Sequence, residues 1–367
     1  MTQQHFDKFY KKGHILTFIF ALCLIGSTLQ KLIPPVQSPD EGGHLYISYL
    51  LSKGRFALFG ENGKRGGGNI DNGFIKYVVS FGNIPFHPEV HYTKNLEEAS
   101  ETISWAGEET FTSAKLLAYY FPLSYLPQAT GLLLGRALSY SPAEACRLAR
   151  LAALCATLLI TYAALSSFHI SPVSALCMAL PMSIFQSATS SPDGINFALC
   201  LLILSLYLKA KAQQELDKKN ILLLCVAIFT VTTHRLNMYP LAALPALLYF
   251  SGHKNNKLIF ISAILFICIT AWILLAMFML PAHHNNYQMS DVIKYYATHP
   301  LETFAIFYST LKHNFIFFIK SFIGILGWLD TPLPLLFYKL LCPLFFIIAL
   351  LTFRPRMGVL YASMLSG

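Results

Sequence analysis

Two adjacent carboxylates and a histidine stand at the start of the longest polar segment of the chain. Asp40, Glu41 and His44 lie within the sequence Ser38-Pro39-Asp40-Glu41-Gly42-Gly43-His44, directly after the first apolar run. A carboxylate beside a low-dielectric surface can act as a general base, or can hold a divalent cation against a phosphate. The same residues also suit a helix start, with Ser38 or Asp40 as the cap and Glu41 in the first turn. The two interpretations are compatible, and both stay open.

A second polar group separates two apolar runs further along the chain. It extends from Gln186 to Asp193 in the sequence Gln186-Ser187-Ala188-Thr189-Ser190-Ser191-Pro192-Asp193. One interpretation is a capped turn between two helices, with Asp193 at the start of the second. The other is that the hydroxyls and the Asp193 carboxylate line the same cavity as Asp40.

Three arginines could bind phosphate. His234 and Arg235 interrupt an apolar stretch, and Arg147 and Arg150 are three residues apart, on one face of a helix. The planar guanidinium fork is well suited to a phosphate. The alternatives are a buried acid as partner, or side chains that extend to lipid headgroups.

A fourth polar group is Gly327-Trp328-Leu329-Asp330-Thr331-Pro332-Leu333-Pro334. A tryptophan at such a position is typically an anchor at the membrane interface. Asp330 is interpreted as a turn residue or as a further contact to substrate.

These residues must be positioned by helices, because the composition is that of a membrane protein. Of 367 residues, 55% are hydrophobic and only 12% are charged, about half the charge of a typical soluble domain. Several apolar runs reach the ~20 residues that cross a bilayer. We therefore predict an all-α polytopic membrane protein with about 8–10 transmembrane helices and a large first extracytoplasmic loop. The apolar runs are Gly13–Ile33, Leu148–Phe168, Val173–Ala188, Gly194–Leu208, Ile221–Thr232, Leu258–Leu280 and Leu335–Phe353.

This composition excludes cytosolic enzymes, secreted disulfide scaffolds and ordinary nucleic-acid binders. The net charge of +9 is spread in short clusters between apolar runs, as the positive-inside rule predicts, so no nucleic-acid partner is expected. Seven of the eight cysteines lie in apolar runs and no C-x-x-C pair occurs, which favours buried apolar roles.

The chain divides into six parts by hydropathy and charge. Residues 1–33 form the cytoplasmic N-terminus and first helix, 34–112 an extracytoplasmic loop with the acidic motif, and 113–146 an interfacial or re-entrant segment. A bundle at 147–280, a second extracytoplasmic region at 281–334 and a C-terminal membrane segment at 335–367 complete the order. The apolar, tail-less end is interpreted as an incomplete copy of a longer protein.

Lysine and arginine clusters set the predicted orientation, with the N-terminus in the cytoplasm of a bacterial inner membrane. Lys209–Lys219, His253–Lys257 and Arg354–Arg356 are then cytoplasmic. With these clusters on the cytoplasmic side, parity requires that Leu116–Leu138 is not a single crossing. It would lie along the interface, or form a re-entrant hairpin broken at Pro122 and Pro127. The crossing of Phe304–Leu329, which Lys312, His313 and Lys320 interrupt, is open in the same way. We count eight crossings, with ten as the alternative.

The chain resembles a bacterial membrane family called domain of unknown function 2142. Four blocks carry the resemblance, in the same order along most of the chain. They are Pro39-Asp40-Glu41 with His44; Tyr120-Phe121-Pro122-Leu123-Ser124-Tyr125-Leu126-Pro127-Gln128 with Gly135-Arg136; Arg147 and Arg150 with Leu180-Pro181-Met182, Gln186, Ser190 and Asp193; and Gly327-Trp328-Leu329-Asp330-Thr331 with Pro334.

That family is similar to the C class of membrane glycosyltransferases (GT-C). The resemblance implies a GT-C-like fold and transfer of a sugar from a polyprenyl-phosphate donor to an envelope glycan or a lipid-linked acceptor. It further implies that Asp40 is the general base and that Glu41 and His44 position it or bind a divalent metal. The metal, Mg or Mn, would be held by Asp40 and Glu41. Arg235, with Arg147 or Arg150, would neutralise the donor phosphate. Where the family commonly has a lysine before its Tyr-x-Pro block, His234 and Arg235 stand here.

Three other functions are considered. A transporter or flippase of a lipid-linked precursor would place its polar residues near the bilayer midplane, whereas here they lie at the outer helix ends. A non-catalytic envelope assembly factor would not need Asp40 or Glu41. A glycan polymerase would share the lipid-linked chemistry. The sequence has no Walker loop and no dinucleotide motif, which fits a substrate that arrives through the membrane.

Overall fold

The computed structural model describes residues 12–59, 66–87, 89–213, 217–279 and 289–365. These residues form an all-α membrane fold with two small antiparallel two-stranded sheets. The strands are β1 Gly67–Asp71, β2 Glu109–Ser113, β3 Ile325–Leu326 and β4 Thr331–Pro332. The helices are α1 Lys12–Leu32, α2 Glu41–Ser52, α3 Asn72–Val79, α4 Lys94–Glu101, α5 Leu126–Ala137, α6 Pro142–Ser167, α7 Pro172–Cys177, α8 Pro181–Ser187, α9 Asp193–Ala212, α10 Lys218–His234, α11 Leu244–Leu248, α12 Lys257–Met277, α13 Met289–Thr298, α14 Pro300–Gly324 and α15 Leu335–Leu365.

Four of the described helices are long and apolar enough to cross a membrane: α1, α6, α9 and α12. The 17-residue α10 and the 25-residue α14 are apolar for most of their length but shorter or more polar. The sequence predicted eight to ten crossings, and four helices of the described ranges meet both conditions for a span.

Short helical turns and one short helix occupy the segment Leu116–Leu138. Residues Lys115–Tyr119 and Pro122–Tyr125 form 3₁₀ turns, and α5 follows with 12 residues. Twelve residues of α-helix extend about 18 Å, well below the ~30 Å hydrocarbon core. Two further irregular turns, 3₁₀ at Leu236–Ala243 and π-helical at Tyr249–His253, flank α11.

The apolar run Val173–Ala188 is not one helix. It is divided into α7 and α8 at Leu180, whose backbone is extended (φ −64°, ψ 143°) because Pro181 follows. Proline disfavours the helical conformation of the preceding residue. The break shortens both helices and places the polar end of α8 next to the start of α9.

The N-terminal half of the bundle is held by close helix packing. Gly131 of α5 faces α6 so closely that a Cβ atom there would lie 2.6 Å from the backbone of Ala149. Gly135, one turn on, would place a Cβ atom 2.7 Å from Ala145. Small residues at this spacing let two helix backbones approach each other, which fixes α5 against the helix that carries Arg147 and Arg150.

The described residues of the 34–112 segment pack around an aromatic core. Tyr49, Phe74 and Trp105 stack with ring centroids 5.3–6.1 Å apart. Asp71 caps α3 through hydrogen bonds from the backbone N–H groups of Gly73 (2.8 Å) and Phe74 (3.1 Å), and it also accepts from Ala106 (3.0 Å) and Gly107 (2.8 Å). This core continues into α5 and α6, so the segment is fixed to the membrane helices that it covers.

Candidate functional site

Glu41 is part of a buried ion pair. Its side chain is fully buried, and Arg150 is 7% exposed. Arg150 donates from Nε to Glu41 Oε1 (2.9 Å) and from Nη2 to Oε2 (2.8 Å), and it also donates to the carbonyls of Ile33 and Pro34 (both 2.9 Å). The backbone N–H groups of Ser190 (2.8 Å) and Ser38 (3.4 Å) donate to the two Glu41 oxygens. Glu41 therefore joins the start of α2, α6 and the turn before α9.

Asp40 differs from Glu41 in exposure, in backbone conformation and in hydrogen bonding. It is exposed, and its backbone is left-handed (φ 58°, ψ 9°). It occupies the cap position of α2, yet its carboxylate forms no capping hydrogen bond, nor any other with the described residues. A non-glycine residue in this conformation costs about 1–2 kcal/mol. Strain of this kind concentrates at functional sites.

Aromatic rings connect His44 to His234. His44 Nδ1 and Tyr125 OH share a hydrogen bond of 2.8 Å, and the ring of Tyr120 is 6.1 Å from that of His44 and 3.9 Å from that of His234. Burial lowers the pKa of His44 from 6.5 to about 4, although the carboxylates of Asp193, Asp40 and Glu41 oppose that shift. His44 is therefore a neutral ring near pH 7.

His234 is buried, and neither ring nitrogen has a hydrogen-bond partner within the described part of the chain. One nitrogen of a neutral imidazole carries a proton, so at least one donor is left unsatisfied at this point. The next residue, Arg235, donates to Asp193 Oδ1 and lies 6.0 Å from the Tyr120 ring centre. An acid from α9 and an arginine after α10 thus meet beside the histidine.

The Asp193–Arg235 pair lies in a cavity of about 630 Å³ that we call the arginine cavity. Gln186 lines it and accepts a hydrogen bond of 3.0 Å from Ser38 Oγ. Beyond the polar end of the cavity, which Asp193, Arg235 and Gln186 form, the wall consists mainly of apolar side chains. They come from α8, α9, α10, the 3₁₀ turn Leu236–Ala243 and α14. Its apolar lining comprises Met182, Phe197, Cys200, Val231, Met238 and Phe322. A polar head with an apolar extension fits an amphipathic ligand such as a lipid phosphate.

Asp40 lines a different cavity of about 460 Å³, the Asp40 cavity. Its wall includes Tyr120, Thr233, Leu236 and Trp272. Arg235 lines the arginine cavity while Thr233 and Leu236 line the Asp40 cavity. One short segment after α10 therefore forms part of the wall of both cavities.

The other predicted residues lie elsewhere. Arg147 is exposed and pairs with Glu101 at 2.7 Å, away from both cavities. Asp330 accepts from the backbone N–H groups of Phe86 (2.8 Å) and Trp328 (3.1 Å), and Trp328 Nε1 donates to the Val36 carbonyl (3.3 Å). Asp330 is thus a turn residue that fastens residues 325–334 to the 34–112 segment.

The geometry does not fit a metal held jointly by Asp40 and Glu41, because both Glu41 oxygens already accept hydrogen bonds from Arg150 and the backbone. Among the described ranges, no group of three His, Cys, Asp or Glu side chains could hold a metal ion.

Two contacts at the site were not predicted from the sequence, that of Trp272 with Tyr119 and that of Tyr125 with His44. Trp272 Nε1 donates to the Tyr119 carbonyl at 2.9 Å, which ties α12 to the first 3₁₀ turn. Its signal was a single tryptophan within the aliphatic helix Lys257–Met277. Tyr125 gave none beyond its place in a proline-rich block, because its contact with His44 spans 81 residues.

The fold and these cavities define a polytopic α-helical membrane protein with a polar site at the ends of its helices. The chain belongs to the family described as predicted membrane protein (DUF2142), whose family model matches residues 23–364. Searches of curated proteins and of solved structures gave no significant match.

Proposed function

We propose that the chain is a membrane glycosyltransferase of the bacterial inner membrane. It would transfer a sugar from a polyprenyl-phosphate donor to an envelope glycan or a lipid-linked acceptor on the extracytoplasmic side. The observation that carries this proposal is the Asp40 carboxylate, which is exposed, unpartnered among the described residues and held on a left-handed backbone at the edge of a cavity.

The arginine cavity supports a lipid-linked donor. Its apolar lining suits a polyprenyl chain, and the Arg235 guanidinium at its polar end suits the phosphate. Arg235 is partly exposed and already balanced by Asp193. A phosphate that enters would share this arginine or displace Asp193 from it.

The reaction in this scheme is an inverting displacement. The acceptor hydroxyl gives its proton to the Asp40 carboxylate as its oxygen bonds to the sugar C1. The bond between C1 and the phosphate oxygen breaks, and the polyprenyl phosphate leaves with the bonding electrons. Arg235 stabilises the negative charge that develops on that leaving group.

Glu41 and Arg150 are assigned a positioning role. Their ion pair holds the first turn of α2 against the Ser190 backbone and so fixes where Asp40 stands. His44, bonded to Tyr125, supports the same helix from the next turn.

The test is complementation of a strain that lacks the gene, with Asp40→Asn as the variant and Glu98→Gln as the matched control. Glu98 is an exposed acid in the same 34–112 segment, on α4. Envelope glycan is read by mass spectrometry, and membrane levels of each variant are measured. We expect Asp40→Asn to be inserted normally and to lack the same sugar as the deletion.

Full restoration of the glycan by Asp40→Asn would refute the assignment of Asp40 as the base. The chain would then have to be considered as a flippase or an assembly factor, for which this carboxylate is dispensable.

A further inference from the structure

A third cavity, of about 580 Å³, lies between the end of α1, the start of α6 and helix α4. We call it the α1–α6 cavity. Arg150 lines it while pairing with Glu41, and Arg147, which the resemblance linked to the donor phosphate, lines it as well. The end of α1 leads directly into the polar 34–112 segment, so this cavity lies where membrane helices meet the folded loop.

The lining is rich in hydrogen-bond donors, hydrogen-bond acceptors and tyrosine rings. Tyr77, Tyr92 and Tyr140 supply the rings. Trp105 Nε1 donates to the Tyr140 carbonyl at 2.8 Å, which fixes the backbone at Tyr140. The polar side chains in the lining are Ser27, Gln30, Lys31, Glu97, Ser100, Glu101, Glu144, Arg147 and Arg150.

One polar group in this lining has no partner. The Gln30 Nε2 amide is inaccessible to solvent and forms no hydrogen bond with the described residues. An amide nitrogen carries two donors, and leaving them buried and unbonded is unfavourable. Gln30 lines the cavity, so a rotation of its side chain would bring these donors to the acceptor oxygens of a ligand.

The charges of the cavity disfavour an anion. Glu101 already pairs with Arg147, Glu41 already pairs with Arg150, and Glu144 accepts from Ser141 in a capping box. Glu97 remains without a described ion pair, and it faces the same space as Lys31. The positive charges are therefore matched by carboxylates, so a phosphate or another acid would meet repulsion there as well as attraction.

A neutral polyhydroxyl ligand matches this combination. Sugar hydroxyls both donate and accept, so they can bond to carboxylates, to amides and to the one Arg150 N–H that has no acceptor in the described contacts. Tyrosine rings offer flat apolar faces with a polar tip against the C–H faces of a sugar. The volume lies within the range of ordinary small-ligand sites.

We infer that the α1–α6 cavity is a binding site for a neutral oligosaccharide. It extends the proposed function, since it would hold a part of the acceptor glycan away from the reacting hydroxyl. The Arg150–Glu41 pair connects this site to the start of α2, where Asp40 stands.

The test measures binding rather than transfer, so that its failure is distinct from failure of the proposed function. The full chain, purified in lipid nanodiscs, is applied to an array of immobilised neutral and acidic oligosaccharides. The variants are Gln30→Met and Glu97→Gln in the cavity and Glu98→Gln outside it.

We expect wild type and Glu98→Gln to bind the same neutral oligosaccharide, and the two cavity variants to bind it at least tenfold more weakly. Gln30→Met is expected to keep or raise the melting temperature, because it removes an unpaired buried amide. A drop in its melting temperature by several degrees would mean that Gln30 has a structural role, and Glu97→Gln would then decide alone.

Three results would overturn the inference. They are the absence of binding to any neutral oligosaccharide, binding that the cavity variants leave unchanged, and preference of the cavity for lipid headgroups. The last is read from phosphatidylglycerol retained by wild type in mixed phosphatidylglycerol and phosphatidylethanolamine nanodiscs and lost from Gln30→Met.

Discussion

Arg150 and Glu41 form a two-pronged ion pair that is closed off from solvent, with contacts of 2.9 and 2.8 Å across 109 residues of chain. The two neighbouring carboxylates therefore differ in hydrogen bonding. Both side-chain oxygens of Glu41 accept hydrogen bonds, whereas those of Asp40 accept none from a described residue. The consequences of this difference can be measured separately.

Glu41→Gln should destabilise the fold. The substitution leaves the Arg150 charge buried with no carboxylate to balance it, and breaking a buried pair in this way costs about 3–5 kcal/mol. Thermal unfolding in detergent should show a clearly lower melting temperature for Glu41→Gln, with no loss for Asp40→Asn. Equal melting temperatures for wild type and Glu41→Gln would contradict the structural role of the pair.

Asp40→Gly should separate stability from activity. Glycine adopts the left-handed backbone at no steric cost, so this variant should be stabilised by about 1 kcal/mol. Transfer should nevertheless fall by roughly 10²–10⁴-fold, because the general base is gone. Unfolding and glycan composition are measured on the same preparations. If Asp40→Gly retains transfer, the strain at Asp40 has no catalytic purpose.

Arg235→Gln should weaken binding of the phosphate-bearing substrate. Loss of a charged hydrogen bond is worth about 1.5–3 kcal/mol, which corresponds to roughly 10–150-fold in KM for the donor. Arg147→Gln is the matched control, since Arg147 is also an arginine in a solvent-exposed pair, with Glu101, but lines another cavity. A similar rise in KM for both variants would point to a general effect of charge rather than a phosphate contact at Arg235.

The pH dependence of stability should carry a contribution from His44. Its pKa in the folded chain, about 4, lies below the unfolded value of 6.5, because burial penalises the charged ring. The unfolded chain therefore binds more protons between these values, and stability falls as the pH is lowered from about 6.5 towards 4. Melting curves between pH 7.5 and 4.5 should show a shallower decline for His44→Gln, which retains a group able to bond Tyr125. Identical slopes would exclude His44 as the source.

The helical membrane architecture was predictable from composition and apolar runs, because those signals are local. So was the start of α9 at Asp193, since proline and an acid at that position favour a helix N-terminus. The site residues Asp40, Glu41, Asp193 and Arg235 could be selected by their polar character in an apolar chain. Their assigned chemistry stays a prediction.

The pairing of those residues could not be predicted. Glu41 contacts Arg150 and Ser190 across 109 and 149 residues, and no periodic pattern encodes such contacts. Asp40 and Glu41 look equivalent in the sequence, and the structure separates them by burial, by the Glu41–Arg150 pair and by the left-handed backbone at Asp40. The break at Pro181 was readable in principle, yet an uninterrupted apolar run from Val173 concealed it.

The bond from the Phe86 N–H to Asp330 has a consequence for biosynthesis. The two residues are 244 positions apart, so this contact, and the neighbouring one from Trp328 to Val36, form only after most of the chain has been translated. At 5–20 residues per second, the delay is roughly 10–50 s. During that interval the 34–112 segment lacks its contacts with Trp328 and Asp330. A chaperone or a protease would have access to the segment in that period.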